Sequence, residues 1–172
     1  MKTWYKELSF STRRQREIVD VTQAVLRAVR ESGIRNGILL VQLPHATASL
    51  VLNENEPGLK QDLLRKLDEL IPVEGGYQHD RIDDNAHSHL KAAIIGSSRV
   101  LPIVDGEIVR GTWQNFLVIE QDGPRTRRLE QGVRCHRQEP GVGNAHLLRP
   151  LPERCRQRPF IAELRAEGSA QG

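Results

Sequence analysis

The segment RVLPIVDGEIV places a two-residue turn between two short aliphatic runs, and it restricts the possible folds more than any other part of the sequence. The runs are residues 99–104 and 107–109, and Asp105-Gly106 lies between them. An Asp-Gly pair is typical of the tight turn of a β-hairpin, because both turn positions adopt positive φ angles. The last third of the chain is therefore predicted to contain antiparallel strands.

Strands and helices are both predicted along the rest of the chain. Short segments that alternate, or that glycine and proline bound, predict further strands at residues 3–10, 37–43, 46–53, 115–121 and 126–130. Apolar residues at helical spacing predict three helices, at about residues 14–32, 57–70 and 86–95. This order predicts an α+β fold in which antiparallel or mixed β-sheets pack with two to three helices.

Capping residues mark the ends of these helices. Ser11 or Thr12 is expected to cap the start of the first helix, and Gly33 is placed where a C-terminal cap glycine belongs. Pro57 suits the first position of the second helix. Gly96 is expected to end the third helix.

Composition excludes several classes of protein. The chain has 172 residues, enough for one domain with a real core, and its net charge of +3 gives no reason to expect nucleic acid as a partner. No apolar run approaches the length of a membrane span, and there is no apolar signal core, so a cytoplasmic protein is expected. Both cysteines, Cys135 and Cys155, lie late in the chain, which excludes a disulfide framework from the first 128 residues.

The C-terminal segment differs in kind from the rest. Residues 131–172 are rich in arginine and proline, have no sustained periodicity, and are predicted to be poorly ordered, apart from a helical turn or two near residues 159–168. The folded domain is therefore predicted to span residues 1–130.

The stretch HDRIDDNAHSHLKAA contains half of the six histidines of the chain. Here His79 and His89 accompany Asp83 and Asp84, and imidazoles with carboxylates nearby are suitable ligands for a divalent metal. None of the standard short metal-binding signatures is present. The alternative is structural, since Asp84 or the following asparagine would also cap a helix that begins at about residue 86.

Helical periodicity separates His87 from His89. Two residues of one helix that are two positions apart point roughly 200° from each other, so both cannot face one ion. His87 aligns with Leu90 and Ile94, whereas His89 aligns with small residues that allow another backbone to approach. His89 is therefore the predicted site residue, and His87 is predicted to be a packing or surface residue.

Three other polar segments have both a functional and a structural interpretation. NENE at 53–56 suits the acidic start of a helix, and GTWQ at 111–114 suits a bend that carries one core tryptophan. Arg125, Arg127 and Arg128 are either solvated strand residues or, beside a Gly-Pro turn, ligands of a phosphate.

Three separated motifs resemble one family. PHATASLVLNENEPG, YQHDRIDDNAHSHLKAAIIGSS and LPIVDGEIVRGTWQNFLVIEQDGPRTRR follow one another in the order and spacing of the YjbQ-like family, often labelled secondary thiamine-phosphate synthase. The stretch GEIVRGTWQ is its most specific signature. The resemblance runs from about residue 3 to residue 128. It implies an α+β fold that assembles as a homotrimer, with polar clusters near the subunit contacts.

The resemblance also implies a set of site residues. His45, His79 and His89 match histidines reported to hold a divalent metal such as zinc, with magnesium as the other candidate. The implied catalytic positions are Asp83, Asp84, Asn53, Asn55 and Gln114. The implied positions for binding substrate or phosphate are Ser97, Thr112, Arg125 and Arg128. In this arrangement Asp83 or Asp84 orients an imidazole.

The implied reaction joins a pyrimidine-methyl diphosphate to a thiazole phosphate and releases pyrophosphate. The resemblance therefore implies a transferase that acts on a small phosphorylated substrate, with another physiological substrate possible. The alternative is a homotrimeric binding or scaffold protein whose histidines hold a structural metal without turnover.

The sequence departs from the family pattern in two places. Ala46 stands where a threonine usually follows the first histidine, so the hydroxyl shifts by one residue to Thr47. LEQGVRCHRQEP replaces the usual closing strand rich in valine and isoleucine, as a frame-shifted reading near Leu129 or Glu130 would produce. If so, the sheet is expected to lack its last strand and to have an open edge.

Overall fold

Two antiparallel sheets form the framework of the protein. A computed structural model describes residues 2–135. The larger sheet contains five strands in the order β1-β8-β3-β5-β6: Thr3–Ser11, Thr126–Cys135, Gly37–Gln42, Ser98–Val104 and Glu107–Ile108. The smaller sheet contains three, in the order β2-β7-β4: Glu17–Asp20, Asn115–Glu120 and Ala48–Asn53. The predicted α+β class is confirmed.

Three α-helices connect the strands: α1 is Thr22–Ser32, α2 is Pro57–Leu70 and α3 is Ala86–Ile95. A short 3-10 helix, Gln78–Arg81, precedes α3. None of the helices between residues 2 and 135 is long and apolar enough to cross a membrane.

The hydrophobic core joins α1 to the inner faces of both sheets. Val25 and Val29 of α1 are almost completely buried, as are Leu39 of β3, Leu50 of β4 and Phe116 of β7. By contrast, α2 has no fully buried residue, so its leucine face stays partly open to solvent.

The predicted hairpin is confirmed. Strands β5 and β6 pair antiparallel, with Val104 opposite Glu107. Asp105 has φ 53° and Gly106 has φ 91°, which are the positive angles that such a turn requires. Gly106 donates its N–H to the carbonyl of Arg35 at 2.8 Å, which joins the turn to the start of β3.

The predicted first helix at 14–32 is wrong at its start. Strand β2 occupies residues 17–20, and Ile18 and Val19 pair with the central strand β7. Ser11 and Thr12 therefore do not cap the helix. The carboxylate of Asp20 accepts the N–H of Thr22 instead, at 2.8 Å. Sheet pairing outweighed the helical spacing of these β-branched residues.

The predicted helix at 86–95 is confirmed, but its capping group is not the expected one. Asn85 occupies the N-cap position without a side-chain capping bond. The carboxylate of Asp80, from the 3-10 helix, accepts the N–H of Ala86 at 3.1 Å.

The sheet does not lack its last strand, so the expected open edge at this strand is wrong. Strand β8 lies inside the larger sheet, pairing with β1 on one side and β3 on the other. Leu129, Gln131 and Val133 alternate towards the core, which is the pattern that a strand with one buried face needs. The strand extends to Cys135, beyond the predicted boundary at residue 130, and the predicted disordered tail otherwise lies outside the described residues.

Gly37 is expected to tolerate no side chain. A Cβ atom there would lie 2.2 Å from the carbonyl oxygen of Arg134 and 3.2 Å from Cα of Cys135, both backbone atoms of β8. We expect Gly37→Ala to lower the free energy of unfolding by about 1–3 kcal/mol through overpacking, measured by urea denaturation. Gly132→Ala is the matched control, because a Cβ there meets no atom within 4 Å. Equal stability of the two variants would contradict the prediction.

Candidate functional site

A cleft of about 470 Å³ brings three of the predicted site residues together. His45, His89 and Ser97 line it, with Ala92, Ala93 and Gly96 among the small residues of its wall. The small-residue stripe on α3 therefore opens the cleft, and His89 lies on that stripe as its periodicity predicts. The strand β5 begins at the next residue, which fixes Ser97 at this end of the larger sheet.

His79 lies beside His89. The two imidazole rings meet edge to face, with centroids 5.0 Å apart and an interplanar angle of 74°. The 3-10 helix supplies His79 and α3 supplies His89, so the contact depends on the short loop between these two helices. Thus His89 is the residue that links the cleft to the second histidine.

His45 is held by the backbone of β8. Its Nε2 atom accepts the N–H of Arg128 at 2.8 Å. Partial burial lowers the pKa of His45, and the nearby guanidinium groups of Arg127 and Arg128 lower it further. His45 is therefore a neutral imidazole at neutral pH.

A buried ion pair supports the floor beside His45. Arg127 donates to both carboxylate oxygens of Glu120, at 2.6 and 2.5 Å, and to the hydroxyl of Thr47 at 3.0 Å. Glu120 is fully buried and Arg127 is 4% exposed. Sequence reasoning placed Arg127 among solvated or phosphate-binding residues and gave Glu120 no role. A glutamate inside the apolar run NFLVIEQ was the available signal.

His87 is a packing residue, which is one of the two roles predicted for it; the other was a surface position. It is 2% exposed, and its Nε2 atom lies 3.1 Å from the hydroxyl of Ser88, which itself donates to the carbonyl of Gln121. Burial lowers the pKa of His87, and the charge of Lys91 one turn further along α3 lowers it too. His87 is not among the residues that line the cleft of His45 and His89.

Asp83 and Arg125 belong to a network that Asn85 and Asp122 connect. Asn85 donates to Asp83 at 3.2 Å and to Asp122 at 3.3 Å, and Arg125 donates to Asp122 at 2.8 Å. Among the described residues neither Asp83 nor Asp84 hydrogen-bonds an imidazole, so the predicted orientation of a histidine by these carboxylates is absent within one chain.

The amide candidates lie at the other end of the smaller sheet. Asn53 of β4 pairs with Asn115 of β7, whereas the cleft adjoins the end of β4 where Ala48 pairs with Glu120. These two ends are about 16 Å apart at 3.3 Å per residue. Asn55 donates to Asp20 at 2.7 Å, and the side-chain oxygen of Gln114 accepts the N–H of Gly111 at 2.8 Å.

The exposed GTWQ bend belongs to this second end. Thr112 is exposed, and Trp113 is 69% exposed, so the interpretation of Trp113 as a core residue is wrong. Within one chain, the histidine cleft is therefore separate from the amide candidates.

A metal ion finds only part of a ligand set in one chain. Within residues 2–135, no three histidine, cysteine or carboxylate side chains are grouped so that they could bind one ion. His79 and His89 are close enough to share an ion, because their 5.0 Å ring separation is similar to the ~5 Å expected for two imidazoles on one tetrahedral zinc with a Zn–N distance of about 2.1 Å.

Comparison with known proteins identifies the family. The family model of the "UPF0047 protein YjbQ-like" proteins matches residues 6–133. The chain belongs to the YjbQ-like UPF0047 family. Within this family, a UPF0047 protein of Archaeoglobus fulgidus is 47% identical over 123 residues, covering 72% of this chain and 95% of its own. The YjbQ-like protein YugU of Bacillus subtilis is 38% identical over 124 residues, covering 71% and 92%.

Solved YjbQ-like structures share the fold. A crystal structure of a YbjQ-like protein of unknown function from Sulfolobus solfataricus has 43% identity and a TM-score of 0.77, covering 78% of this chain and 99% of its own. A hypothetical protein from Aeropyrum pernix has 39% identity and a TM-score of 0.75, covering 79% and 100%. The three motifs that resembled the YjbQ-like family thus gave the correct family and the correct fold.

Proposed function

We propose that this YjbQ-like protein is an enzyme that acts on small phosphorylated molecules in the cleft of His45, His89 and Ser97. The observation that carries the proposal is the convergence of two imidazoles and a hydroxyl on one cleft of about 470 Å³. A cleft of this size suits a small molecule rather than a macromolecule. Arg128 contacts His45 through its backbone N–H, and we propose its exposed side chain, which forms an ion pair with Glu7, as a ligand of phosphate.

The specific reaction proposed is thiamine-phosphate synthesis, as the resemblance to the family implies. The thiazole nitrogen attacks the methylene carbon of the pyrimidine, a C–N bond forms, and the C–O bond to the diphosphate breaks. Pyrophosphate leaves with the electron pair of that bond. The contribution of the protein is to hold the two substrates in line and to stabilise the negative charge that grows on the departing oxygen.

The proposal retains a divalent metal, zinc or magnesium. His79 and His89 would hold it, with remaining ligands from substrate, water or a neighbouring subunit. When bound, such an ion supplies positive charge to diphosphate oxygens. The test is metal analysis of the purified protein together with the same analysis of His79→Ala, which is expected to lose the ion.

We expect His89→Ala to lower the rate of pyrophosphate release by about 100-fold or more, because it removes a proposed ligand of the ion that stabilises the departing diphosphate, and loss of one such stabilising group typically costs about 10²–10³-fold. The measurement is pyrophosphate release from a panel of phosphorylated substrates that includes the pyrimidine and thiazole pair. Arg35→Ala is the control, since Arg35 forms only an exposed ion pair with Asp105 at the hairpin. Release by the wild-type protein that His89→Ala leaves unchanged would refute the proposed site.

The second candidate function is that of a homotrimeric binding or scaffold protein without catalytic turnover. An exposed apolar face on the larger sheet supports the proposal that the chain self-associates. On the outer side of the larger sheet, Tyr5 lies opposite Gly132, Gly132 opposite Leu40, and Leu40 opposite Val100. Tyr5 is 62% exposed and Val100 is 63% exposed. A continuous apolar row of this kind is typical of a surface that another protein covers. We propose that a second copy of this chain covers it.

A trimer would also explain the divided site residues. The amide cluster around Asn53 and the histidine cleft lie at opposite ends of β4, so a reaction that needs both requires two subunits. Under this proposal each active site takes its amides from one subunit and its histidines from the next.

We expect Val100→Asp to convert an oligomer into monomers, because a carboxylate at a buried interface loses its hydration without gaining a partner. The measurement is molar mass by light scattering after size-exclusion chromatography. Ile82→Asp is the matched control, since Ile82 is an apolar residue that is 85% exposed and lies outside the sheet. A Val100→Asp protein with the mass of the wild-type protein would contradict this face as the interface.

A further inference from the structure

We infer that His45 is not a metal ligand but a fixed hydrogen-bond donor, which binds an oxygen of an anionic group through its Nδ1–H. The inference rests on the proposed function, and it assigns the role of one residue within that site. It separates the three histidines that the resemblance treats as one ligand set, and it names the ligand class of the cleft as a phosphate or diphosphate.

The tautomer of His45 follows from its contact with β8. Nε2 lies 2.8 Å from the backbone nitrogen of Arg128, whose N–H can only donate. Nε2 must therefore carry a lone pair, and an imidazolium could not make this bond. In a neutral imidazole the single proton is then on Nδ1, which becomes a donor. A metal needs a lone pair from its ligand, and the only lone pair of this ring is already in use.

The position of His45 makes this contact a property of the fold. Strand β8 pairs with β1 at Arg128, which lies opposite Ser9, but its pairing with β3 begins only at Glu130, opposite Gln42. Beyond the end of β3 the chain continues to His45. Its ring accepts the N–H of Arg128, which the carbonyl of a neighbouring strand would otherwise accept. The N–H of Arg128 would be left without this acceptor if the ring turned away to bind a metal.

The surroundings favour an anion over a cation at His45. Arg127 and Arg128 bring positive charge to the ring, and the carboxylate of Glu120 offsets only part of it, so the pKa of His45 remains lowered. The carboxyl end of α3, which would repel an anion, is partly neutralised, because Arg99 donates to the carbonyl of Ile95 at 3.1 Å. The hydroxyl of Ser97, which lines the same cleft, supplies a further donor.

The first test reads the tautomer directly, with no ligand present. We expect long-range ¹H–¹⁵N NMR spectra of the full chain to show one histidine protonated on Nδ1 and not on Nε2, and His45→Gln to remove that signal. Added inorganic pyrophosphate is expected to shift the Nδ1 resonance of His45, whereas added zinc is not expected to move its Nε2 resonance. A proton on Nε2, or a zinc-induced shift of Nε2, would overturn the inference.

The second test uses two variants that preserve different halves of the ring. His45→Asn can keep an amide donor near the position of Nδ1, whereas His45→Gln can keep an acceptor for the N–H of Arg128 but loses the Nδ1 donor. We expect calorimetry to give about tenfold weaker binding of pyrophosphate for His45→Gln and nearly unchanged binding for His45→Asn. Equal losses in both variants, or a wild-type protein that does not bind pyrophosphate, would overturn the anion-binding role.

The two proposals can fail separately. If pyrophosphate binds through His45 but no substrate of the panel releases pyrophosphate, the inference stands and the catalytic proposal falls. If substrates react while the His45 ring carries its proton on Nε2, the enzyme stands and the inference falls.

Discussion

Replacing Arg127 with alanine is expected to lower the free energy of unfolding by about 3–5 kcal/mol. The reason is the carboxylate that remains. Glu120 is fully buried, and its two oxygens accept hydrogen bonds from Arg127 at 2.6 and 2.5 Å. Without the guanidinium, an uncompensated charge must be protonated or hydrated inside the core. The measurement is urea denaturation followed by tryptophan fluorescence.

Arg35→Ala is the matched control for this prediction. Its partner Asp105 is also a carboxylate, but the two side chains are 74% and 76% exposed, so the change is expected to cost less than about 1 kcal/mol. Similar losses for Arg127→Ala and Arg35→Ala would show that the buried pair is not structurally important.

The same pair makes stability depend on pH. Burial raises the pKa of Glu120, but hydrogen bonds from Arg127 and from the N–H groups of Asp122 and Gln121 outweigh it and hold the pKa below its usual value. A carboxylate whose pKa is lower in the folded state adds stability above its unfolded pKa and loses it as the pH falls through its folded pKa. The difference in stability between wild type and Arg127→Ala is therefore expected to shrink in acid.

Asp68→Ala is expected to produce the second-largest loss, again about 3–5 kcal/mol, because it leaves a buried ammonium without a partner. The side chain of Lys91 is 1% exposed and lies 2.6 Å from Asp68, which also binds the guanidinium of Arg16. Burial raises the pKa of Asp68, but these two cations outweigh it and lower the pKa. Chemical denaturation again measures the loss.

A double-mutant cycle separates the cost of leaving the Lys91 ammonium unpaired from the cost of lost packing at Asp68. Lys91→Met removes the ammonium but keeps a side chain of similar length, and Asp68 keeps Arg16 as its partner. In the Lys91→Met background, Asp68→Ala is expected to cost less than about 1 kcal/mol. An equal cost in both backgrounds would mean that the ion pair with Lys91 is not the cause.

The sequence was sufficient where a pattern is local. Asp105-Gly106 fixed the hairpin because its backbone angles are a property of two residues. The small-residue stripe on α3 placed His89 in the cleft, whereas His87 is buried without the two residues predicted to share its face, since Leu90 is 42% and Ile94 is 75% exposed. These inferences needed no knowledge of what lies across the core.

The errors arose where a distant strand decides the structure. Ile18 and Val19 fit a helical pattern, but pairing with β7 makes them a strand. The pairing of Arg127 with Glu120 and Thr47, and the contact of Arg128 with His45, join segments that no sequence spacing connects. Arg127, which the sequence left as either a solvated residue or a phosphate ligand, is therefore structural.

The position of β8 also governs when the protein can fold during its synthesis. Among the strands of residues 2–135, β1 pairs only with β8, and 115 residues separate Ser11 from Thr126 at the end of that ladder. A ribosome that adds 5–20 residues per second needs roughly 6–23 s to make that stretch. Throughout that interval the nascent N-terminal strand has no sheet partner from its own chain, so it is a natural substrate for a chaperone.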